Sequence, residues 1–269
     1  MWALTAITDR LSFLKSSLMS RTSDSSGKPR WIKLLGGVLF LISLGGFFYF
    51  LTTPNSYPKN VSVSNVSSQS ITLSWTTATP METKVLLSEA GNLQILPVFF
   101  YSSIGDDRDK TGDLVRTRNV HYVTLKDLKP NTRYVARIYS GLRQVYEKKL
   151  TTGPAIVLNE PNLVYGKVLG EKSAPVANAL VYLRMISKEG SSSALLSAMT
   201  NEQGKWSIEA SNARIRNLKK GFNPLGVKYE MMIVDDGRGK RFKATTTPKF
   251  DKPWPNIVLQ ASGSAEVKE

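Results

Sequence analysis

Hydrophobic residues near the start of the chain form one continuous run. Residues 34–51, LLGGVLFLISLGGFFYFL, contain no charged side chain. A helix needs about 20 apolar residues to cross the roughly 30 Å hydrocarbon core of a bilayer. Trp31 and Tyr49 lie near the two ends of the run, where aromatic rings favour the headgroup region. The pattern predicts one transmembrane helix over residues 31–52.

Charges on either side of this run predict its orientation. The first base after it is Lys59, and only Asp9 and Asp24 balance the bases before it, which are Arg10, Lys15, Arg21, Lys28, Arg30 and Lys33. Basic residues favour the cytoplasmic side, so we expect a cytoplasmic N-terminus and extracytoplasmic domains.

A cleaved signal peptide is the alternative to a membrane anchor. The apolar region of a signal peptide is shorter than this run and ends in small residues. The run here ends instead in FFYFL, with bulky aromatic side chains. An uncleaved signal anchor in the cell membrane is therefore predicted.

The segment before the apolar run, residues 1–30, has a helical hydrophobic spacing. Leu4, Ile7, Leu11, Leu14 and Leu18 recur at intervals of three and four, which places them on one helix face. Such a cytoplasmic amphipathic segment would lie on the inner leaflet or pair with a partner helix in a homo- or hetero-oligomer. A short disordered tail is the alternative.

From residue 58 the pattern changes to alternation between apolar and polar positions. VSVSNVSS and SITLSWTT alternate in the manner of half-buried antiparallel strands. Ile71, Leu73 and Trp75 share one face, and the hydroxyl residues between them are expected to face water. Seven such short segments predict an antiparallel β-sandwich over residues 58–153.

The segment LKDLKPNTRYVARIY carries a more specific signature. Its residues predict a turn whose tyrosine hydrogen-bonds back across the corner. Together with Trp75 in the second strand, these residues resemble a fibronectin type III domain, and the resemblance implies that they pack the fold and carry no chemistry. The residues are Trp75, Leu128, Pro130, Thr132 and Tyr134.

The loop IGDDRDKTGDLVRTRN, residues 104–119, concentrates acidic residues between two strands. Oxygen-bearing side chains alternate before the turning residue Gly112, as in the first half of a calcium loop. The twelfth position, which should supply a bidentate acid, is Arg118. The candidate calcium ligands are Asp107, Asp109, Thr111 and Asp113.

A structural interpretation of the same loop is preferred. Arg108 and the neighbouring acids could pair with each other or with His121 and hold the loop in place. A ligand-binding role is the third alternative. The segments DDRD and HYVTL resemble fibronectin-like domains of membrane-anchored bacterial proteins.

A second sandwich is predicted over residues 160–260, after the linker TTGPAIVLNEPN. The segment VYGKVLGEKSAPVANALVYLRMI reads as strand, turn and strand, and NEQG forms a later turn. The pattern resembles the carboxypeptidase regulatory-like, transthyretin-like β-sandwich, although Asn178 replaces its usual glycine. That family implies a spacer or display element without peptidase activity. The residues that carry the resemblance are Gly166, Val168, Pro175, Val176, Ala179, Val181, Leu183, Thr200, Gly204, Trp206 and Ile208. Residues 261–269 are predicted to be a disordered tail.

Composition limits the available chemistry. The chain has 269 residues, no cysteine and one histidine, so disulfides, thiol nucleophiles and nearly every zinc arrangement are excluded. The sequence offers no convincing lipase elbow, phosphate loop, Ser-x-x-Lys nucleophile or pair of metal-binding histidines. We therefore predict a protein that is not an enzyme and needs no cofactor apart from the candidate calcium.

The net charge of +15 directs attention to anionic partners. If two basic segments of the second domain are neighbours, they form a patch for phosphate-rich polymers or lipid headgroups. A solvated basic face is the alternative. Nucleic acid is not an expected partner, because few aromatic residues are interleaved with the bases. The segments contain Arg214, Arg216, Lys219 and Lys220, then Arg238, Lys240, Arg241 and Lys243.

These features together predict an all-β protein with two tandem antiparallel β-sandwiches behind one N-terminal transmembrane helix. The predicted function is that of a non-enzymatic single-pass cell-envelope protein that displays two modules for adhesion or for binding envelope polymers or proteins. The alternative is a membrane-tethered accessory subunit of a larger envelope complex, such as secretion or pilus-like machinery.

Overall fold

The computed structural model describes residues 30–52, 57–91, 103–109, 116–157, 160–259 and 266–268. The chain divides into two compact units, Met1–Asn55 and Ser56–Glu269. The predicted amphipathic segment lies outside the described residues, as does most of the tail that was predicted to be disordered. Its residues Glu266–Lys268 are described, and they form a strand that pairs with Asn256–Val258.

The first unit contains helix α1, Arg30–Thr52, which confirms the predicted helical conformation. Its described side chains, from Leu34 to Gly46, are exposed, and they include leucine, valine, phenylalanine and isoleucine. Among the described residues, no helix has the length and hydropathy that a membrane span needs. The transmembrane assignment therefore stays a prediction.

The first sandwich begins the second unit and contains two antiparallel three-stranded sheets. Six of the seven predicted strands are observed, and most of the seventh, LQILPVFFYSS, lies outside the described residues. The strands are β1 Lys59–Ser64, β2 Ile71–Met81, β3 Lys84–Glu89, β4 Arg118–Leu125, β5 Arg133–Ser140 and β6 Arg143–Thr151. They form the sheets β1-β2-β4 and β3-β5-β6.

The core of the first sandwich contains the predicted signature residues. Ile71, Leu73 and Trp75 are fully buried between the two sheets. The hydroxyl of Tyr134 accepts a hydrogen bond from the Lys129 backbone N–H at 2.8 Å. This bond closes the corner before β5, so the predicted tyrosine corner is confirmed.

The second sandwich contains two four-stranded sheets around a core that includes Leu183, Trp206, Met232 and Trp254. The strands are β7 Leu163–Leu169, β8 Leu180–Ser187, β9 Leu196–Met199, β10 Lys205–Glu209, β11 Val227–Asp235, β12 Arg241–Thr246, β13 Asn256–Val258 and β14 Glu266–Lys268. They form the sheets β10-β7-β13-β14 and β12-β11-β8-β9.

Strand β13 refines the sequence prediction for this sandwich. It pairs with β7 in parallel, with Ile257 opposite Val168. The expectation of a purely antiparallel sandwich is therefore wrong here, because the chain crosses from β12 to the other sheet before it forms β13.

Asn178 occupies the position where the resembled family has glycine. Its φ is 61°. This is a left-handed conformation that asparagine tolerates better than most residues. The conformation explains how asparagine can replace glycine at this turn.

The two sandwiches share a buried interface. Thr72, Ser74 and Thr76, on the outer face of β2, are 2%, 0% and 6% exposed. The Ser74 hydroxyl is hydrogen-bonded to the Tyr182 hydroxyl of β8 at 2.8 Å. The expectation that these side chains face water is therefore wrong. The second sandwich covers that face; Tyr182 satisfies Ser74, while Thr72 and Thr76 bond to Thr124 and to the Lys59 carbonyl of the first sandwich.

Asn65 makes the densest set of contacts across this interface. Its backbone N–H donates to the Leu195 carbonyl at 3.0 Å. Its side-chain amide donates to the Ser197 carbonyl at 3.0 Å, and its amide oxygen accepts from the Ser197 N–H at 2.9 Å. The asparagine therefore pairs with β9 much as a neighbouring strand would.

Apolar contacts complete the interface. Val120 of β4 packs with Leu180 and Tyr182 of β8 in a small separate cluster. Gly237, in the turn between β11 and β12, has a φ of 70°, and a Cβ there would clash with the Val120 side chain. This turn can approach the first sandwich closely only because the residue is glycine.

The linker between the sandwiches is held by the second domain. The Arg214 guanidinium donates to the Pro154 carbonyl at 2.7 Å and to the Leu218 carbonyl at 3.2 Å. A Cβ on Gly153 would clash with that guanidinium. The first residues of the linker are therefore fixed in place by Arg214.

Candidate functional site

The acidic loop is pinned to the first sandwich by Asp106. This carboxylate accepts from the Arg108 guanidinium at 2.6 and 2.8 Å and from the Tyr122 backbone N–H at 2.9 Å. Burial acts to raise the pKa of Asp106, but the Arg108 charge and these hydrogen bonds outweigh it and hold the pKa below its ordinary value. The carboxylate is therefore ionised and structural.

The next two aspartates also have protein partners. Asp107 accepts from the Thr124 backbone N–H at 2.7 Å and from its hydroxyl at 2.6 Å. Asp109 accepts from the Arg118 guanidinium at 2.6 Å, while its other carboxylate oxygen is buried without a partner in the described part of the chain. The preferred structural interpretation of the loop agrees with these contacts.

The predicted calcium site stays a prediction. Two of the four candidate ligands, Thr111 and Asp113, lie outside the described residues. Across the described ranges, no group of three or more His, Asp or Glu side chains could hold a metal ion. Asp107 is already engaged by Thr124.

His121 is buried against the core of the first sandwich. Its ring stacks on Trp75 at a centroid distance of 5.0 Å, and Nδ1 is 2.9 Å from the Thr83 hydroxyl. Burial lowers the pKa of His121 to about 4; Asp106 opposes the shift and Arg108 adds to it. At neutral pH this histidine is therefore an uncharged packing residue.

A cleft of about 710 Å³ lies between the two sandwiches, beside the acidic loop. Arg108 crosses it, because its guanidinium also donates to the Asn178 side chain of the second sandwich at 2.9 Å. We call this concavity the interdomain cleft. Its charged residues are Arg108, Arg116, Arg118, Arg238, Glu202 and Asp236.

The arginines of the interdomain cleft differ in their availability. Arg108 and Arg118 are paired with Asp106 and Asp109. Within the described ranges, the guanidinium of Arg238 makes no hydrogen bond or ion pair, and the same holds for Arg116. A guanidinium in this state is suited to bidentate pairing with carboxylate or sulfate.

The structure separates the two basic segments predicted to form one patch. In the second basic segment, Arg241 of β12 pairs with Asp235 of β11. Asp235 in turn pairs with Leu180, the first residue of β8, so this segment lies near the start of β8. The segment with Arg214 adjoins Ser193, close to the other end of β8. The two ends of β8 are about 20 Å apart at the usual rise per residue of a strand, and this distance separates the two basic segments.

Individual residues of these segments also have different environments. Arg214 is only 2% exposed, and burial lowers its pKa. This arginine is therefore an internal clamp, and the expectation that it contributes to an anion-binding surface is wrong. Lys240 pairs with Glu171 at 3.1 Å. Arg216, Lys219 and Lys220 are exposed at one end of the sheet, and Arg238, Arg241 and Lys243 are exposed at the other.

Sequence reasoning missed a second concavity on the outer face of the β10-β7-β13 sheet. It has a volume of about 710 Å³, and its lining includes Leu163, Tyr165 and Pro253. We call it the outer groove. The available signal was β7 itself, LVYGKVL, because the positions that alternate with its buried residues carry large side chains.

A buried carboxyl group in the second core was also missed. Glu230 is 1% exposed, and its carboxylate accepts from the Trp254 indole N–H at 2.9 Å. Burial raises the pKa of Glu230 to about 7; Trp254 opposes the shift and Asp251 adds to it. Because the carboxyl group is enclosed by the core and bonded to a core tryptophan, we assign it a structural role.

Comparison with known proteins assigns the first sandwich. Residues 56–152 match the fibronectin type III domain family. The first sandwich is a fibronectin type III domain. Such domains are β-sandwich modules for binding or adhesion and are typically not catalytic. No curated protein matches the chain.

Among solved structures, similarity is found to the crystal structure of chicken CNTN1 FN1-FN3 domains. The identity is 12%, the match covers 70% of this chain and 64% of that one, and the TM-score is 0.24. This TM-score is too low to establish a common overall arrangement. The carboxypeptidase regulatory-like assignment of the second sandwich stays a prediction.

Proposed function

We propose that the chain is a non-enzymatic, single-pass bacterial envelope protein whose two joined β-sandwiches bind an anionic envelope polymer or another envelope protein outside the membrane. The observation that carries this proposal is the arginine-lined interdomain cleft between two sandwiches that share a buried interface. Clefts between domains are frequent binding sites. Because the interface orders both walls in advance, binding needs little further ordering of the protein.

The chemistry of the cleft favours binding over catalysis. Arg238 and the asparagine amides of the cleft can pair with an anion, but they do not transfer protons at neutral pH. One oxygen of the Asp236 carboxylate, Oδ1, accepts from the backbone N–H groups of Arg238 and Lys240 at 2.8 and 2.9 Å.

The membrane location is supported by the apolar run and the basic residues before it. The exposed large hydrophobic side chains of helix α1 agree with it, because soluble proteins rarely expose such a continuous apolar surface. We propose an uncleaved anchor with a cytoplasmic N-terminus. The second sandwich, proposed as carboxypeptidase regulatory-like, would present the distal wall of the cleft.

The location is tested by adding protease to intact cells that express the full chain. We expect the fibronectin type III domain and the second sandwich to be digested, while an N-terminal epitope tag survives. An intact C-terminal portion on unbroken cells would contradict the proposal. Crosslinking of residues 1–30 to secretion or pilus subunits would instead favour the accessory-subunit alternative.

The binding role is tested by retention of the full chain on dextran sulfate beads, with neutral dextran beads as the reference. Arg238→Ala should reduce retention at low salt several-fold, and high salt should abolish it for the unaltered chain. Arg216→Ala is the matched control, because it removes an exposed arginine from the other end of the same sandwich. Equal losses for both variants would show attraction to net charge alone and would contradict a specific cleft.

A further inference from the structure

We propose that the outer groove and the interdomain cleft form one continuous track that binds an acidic polysaccharide. This inference rests on the proposed binding function and gives it a ligand class. It adds a second concavity that no sequence motif indicated.

The floor of the outer groove is an exposed aromatic surface. Tyr165 is 40% exposed at the centre of the sheet, next to Leu163 and Pro253. The C–H face of a sugar ring packs on such an aromatic and apolar surface. Leu163 to Lys167 extends about 13 Å along β7 at the rise of a strand, which leaves room for more than one ring.

Hydrogen-bond donors surround this floor. Lys205 lies opposite Lys167, and Ser207 lies opposite Tyr165 on the same outer face. Asn256 adds an amide from β13. Within the described ranges none of these polar side chains has a partner, and no acidic residue lines the groove. The groove therefore offers two ammonium groups and neutral polar groups to a ligand that carries carboxylates and hydroxyls.

The two concavities meet at the turn between β9 and β10. Met199 and Asn201 line both of them. The Asn201 side-chain oxygen accepts from the backbone N–H groups of Gln203 and Lys205, so its NH₂ group is the one available to a ligand. A chain that leaves the lysines of the groove would pass this amide and reach Arg238.

The geometry favours a polysaccharide over a peptide. Strand β7 lies between β10 and β13, and Tyr165 exchanges backbone hydrogen bonds with Asp251 and Trp254. A peptide cannot add as a strand on this face, so recognition must use side chains. In an acidic polysaccharide, sugar rings and carboxylates alternate along the chain. The rings can pack on the aromatic surface of the outer groove, and the carboxylates can pair with the lysines of the groove and with Arg238.

An exposed acid in the track opposes an anionic ligand. Glu202 is exposed in the cleft, beside Asn201. Its removal should therefore strengthen binding of an acidic polymer, which gives a gain-of-affinity test that misfolding cannot mimic.

The test is calorimetry of the full chain in detergent micelles with oligogalacturonates of two and eight residues. We expect the octamer to bind about tenfold more tightly than the dimer, because only the octamer reaches both concavities. Tyr165→Ala should weaken octamer binding about tenfold, corresponding to about 1.4 kcal/mol. Glu202→Gln should tighten it. Tyr229→Ala is the matched control, because Tyr229 is 38% exposed on the other sheet.

Several outcomes would overturn the inference. Failure of both oligogalacturonates to bind at millimolar concentration would do so, as would equal binding of the neutral methyl-esterified octamer. Equal affinity of dimer and octamer would refute the continuous track. Octaglutamate binding with the same dependence on Tyr165 would replace the polysaccharide by an acidic peptide. Calorimetry is independent of cellular location, so it can fail while the protease and bead experiments succeed.

Discussion

Strands β2 and β7 both alternate between two faces, and they use their outer faces in opposite ways. The outer face of β2 presents Thr72, Ser74 and Thr76, which are buried against the second sandwich. The outer face of β7 presents Leu163, Tyr165 and Lys167, which are exposed. The more polar face is covered, and the face with the larger apolar side chains is open.

The difference shows that polarity alone does not identify the solvent face of a strand. Small hydroxyl side chains let two sheets approach closely, and each can be satisfied by a group of the partner, as Ser74 is by Tyr182. Large side chains such as Tyr165 instead line the outer groove, a concave surface of the kind that a ligand can occupy.

The largest expected effect on stability comes from a serine-to-leucine substitution, compared between the covered outer face of β2 and the open outer face of β10. Ser74→Leu should lower the free energy of unfolding by about 3–5 kcal/mol, because it overpacks the interface and leaves the Tyr182 hydroxyl unsatisfied. Ser207→Leu, on the open face of β10, should change it by less than about 0.5 kcal/mol. Urea denaturation of the two variants measures both. Similar losses would contradict the contrast between the faces.

The two cores should respond to pH in opposite directions. The pKa of Glu230 is about 7, above its ordinary value of 4.5, so its contribution to stability is complete below pH 4.5 and is lost as pH rises through 7. The pKa of His121 is about 4, below its ordinary 6.5, so stability from this group increases between pH 4 and 6.5.

Glu230→Gln isolates the first of these effects. The variant should keep the acceptor for Trp254 and gain about 2–3 kcal/mol relative to the unaltered chain between pH 4.5 and 8. Urea denaturation across this range tests the prediction, with the exposed Glu202→Gln as control. A constant difference between the unaltered chain and Glu230→Gln at every pH would rule out titration of Glu230.

A smaller effect is expected for the asparagine that joins the domains. Asn65→Ala should cost about 2 kcal/mol, because buried hydrogen-bonding groups would lose their partner inside the interface. These groups are the N–H and the carbonyl of Ser197. Thermal unfolding of the variant measures the loss.

Asn60→Ala is the matched control for this substitution. Asn60 has a similar φ, 54° against 48° for Asn65, so backbone strain is comparable. Its side-chain contact to Asp235 is long, at 3.5 Å. A melting temperature that shifts equally for both variants would assign the effect to the backbone.

The smallest effect concerns two tyrosine hydroxyls. Tyr182→Phe removes the hydrogen bond to Ser74 and should cost about 1 kcal/mol, whereas Tyr165→Phe should cost nothing measurable. Differential scanning calorimetry compares them. A loss for Tyr165→Phe as large as that for Tyr182→Phe would mean that the outer groove is closed by contacts of its own.

Local patterns in the sequence were sufficient to predict most of the strands. Alternation placed Ile71, Leu73 and Trp75 in a core, and the turn before Tyr134 predicted the hydrogen bond that the structure contains. These features depend on residues close together along the chain. The parallel pairing of β13 depends on a crossover between sheets, which alternation does not encode.

The candidate site was harder to predict, because it depends on contacts between distant segments. Arg108 and Asn178 are 70 residues apart, and Asn65 and Ser197 are separated by 132. The sequence pattern grouped Arg214 with Arg238 because both lie in basic segments. Their different burial becomes visible only once the linker and the sheet register are known.

The contact between Gly153 and Arg214 bears on how genes for such proteins can change. Modular β-domains are often exchanged one at a time by recombination, since a flexible connection tolerates any neighbour. Here a replacement second sandwich would have to supply a donor for the Pro154 carbonyl and a cover for Thr72, Ser74 and Thr76. The pair is therefore expected to be inherited as one unit.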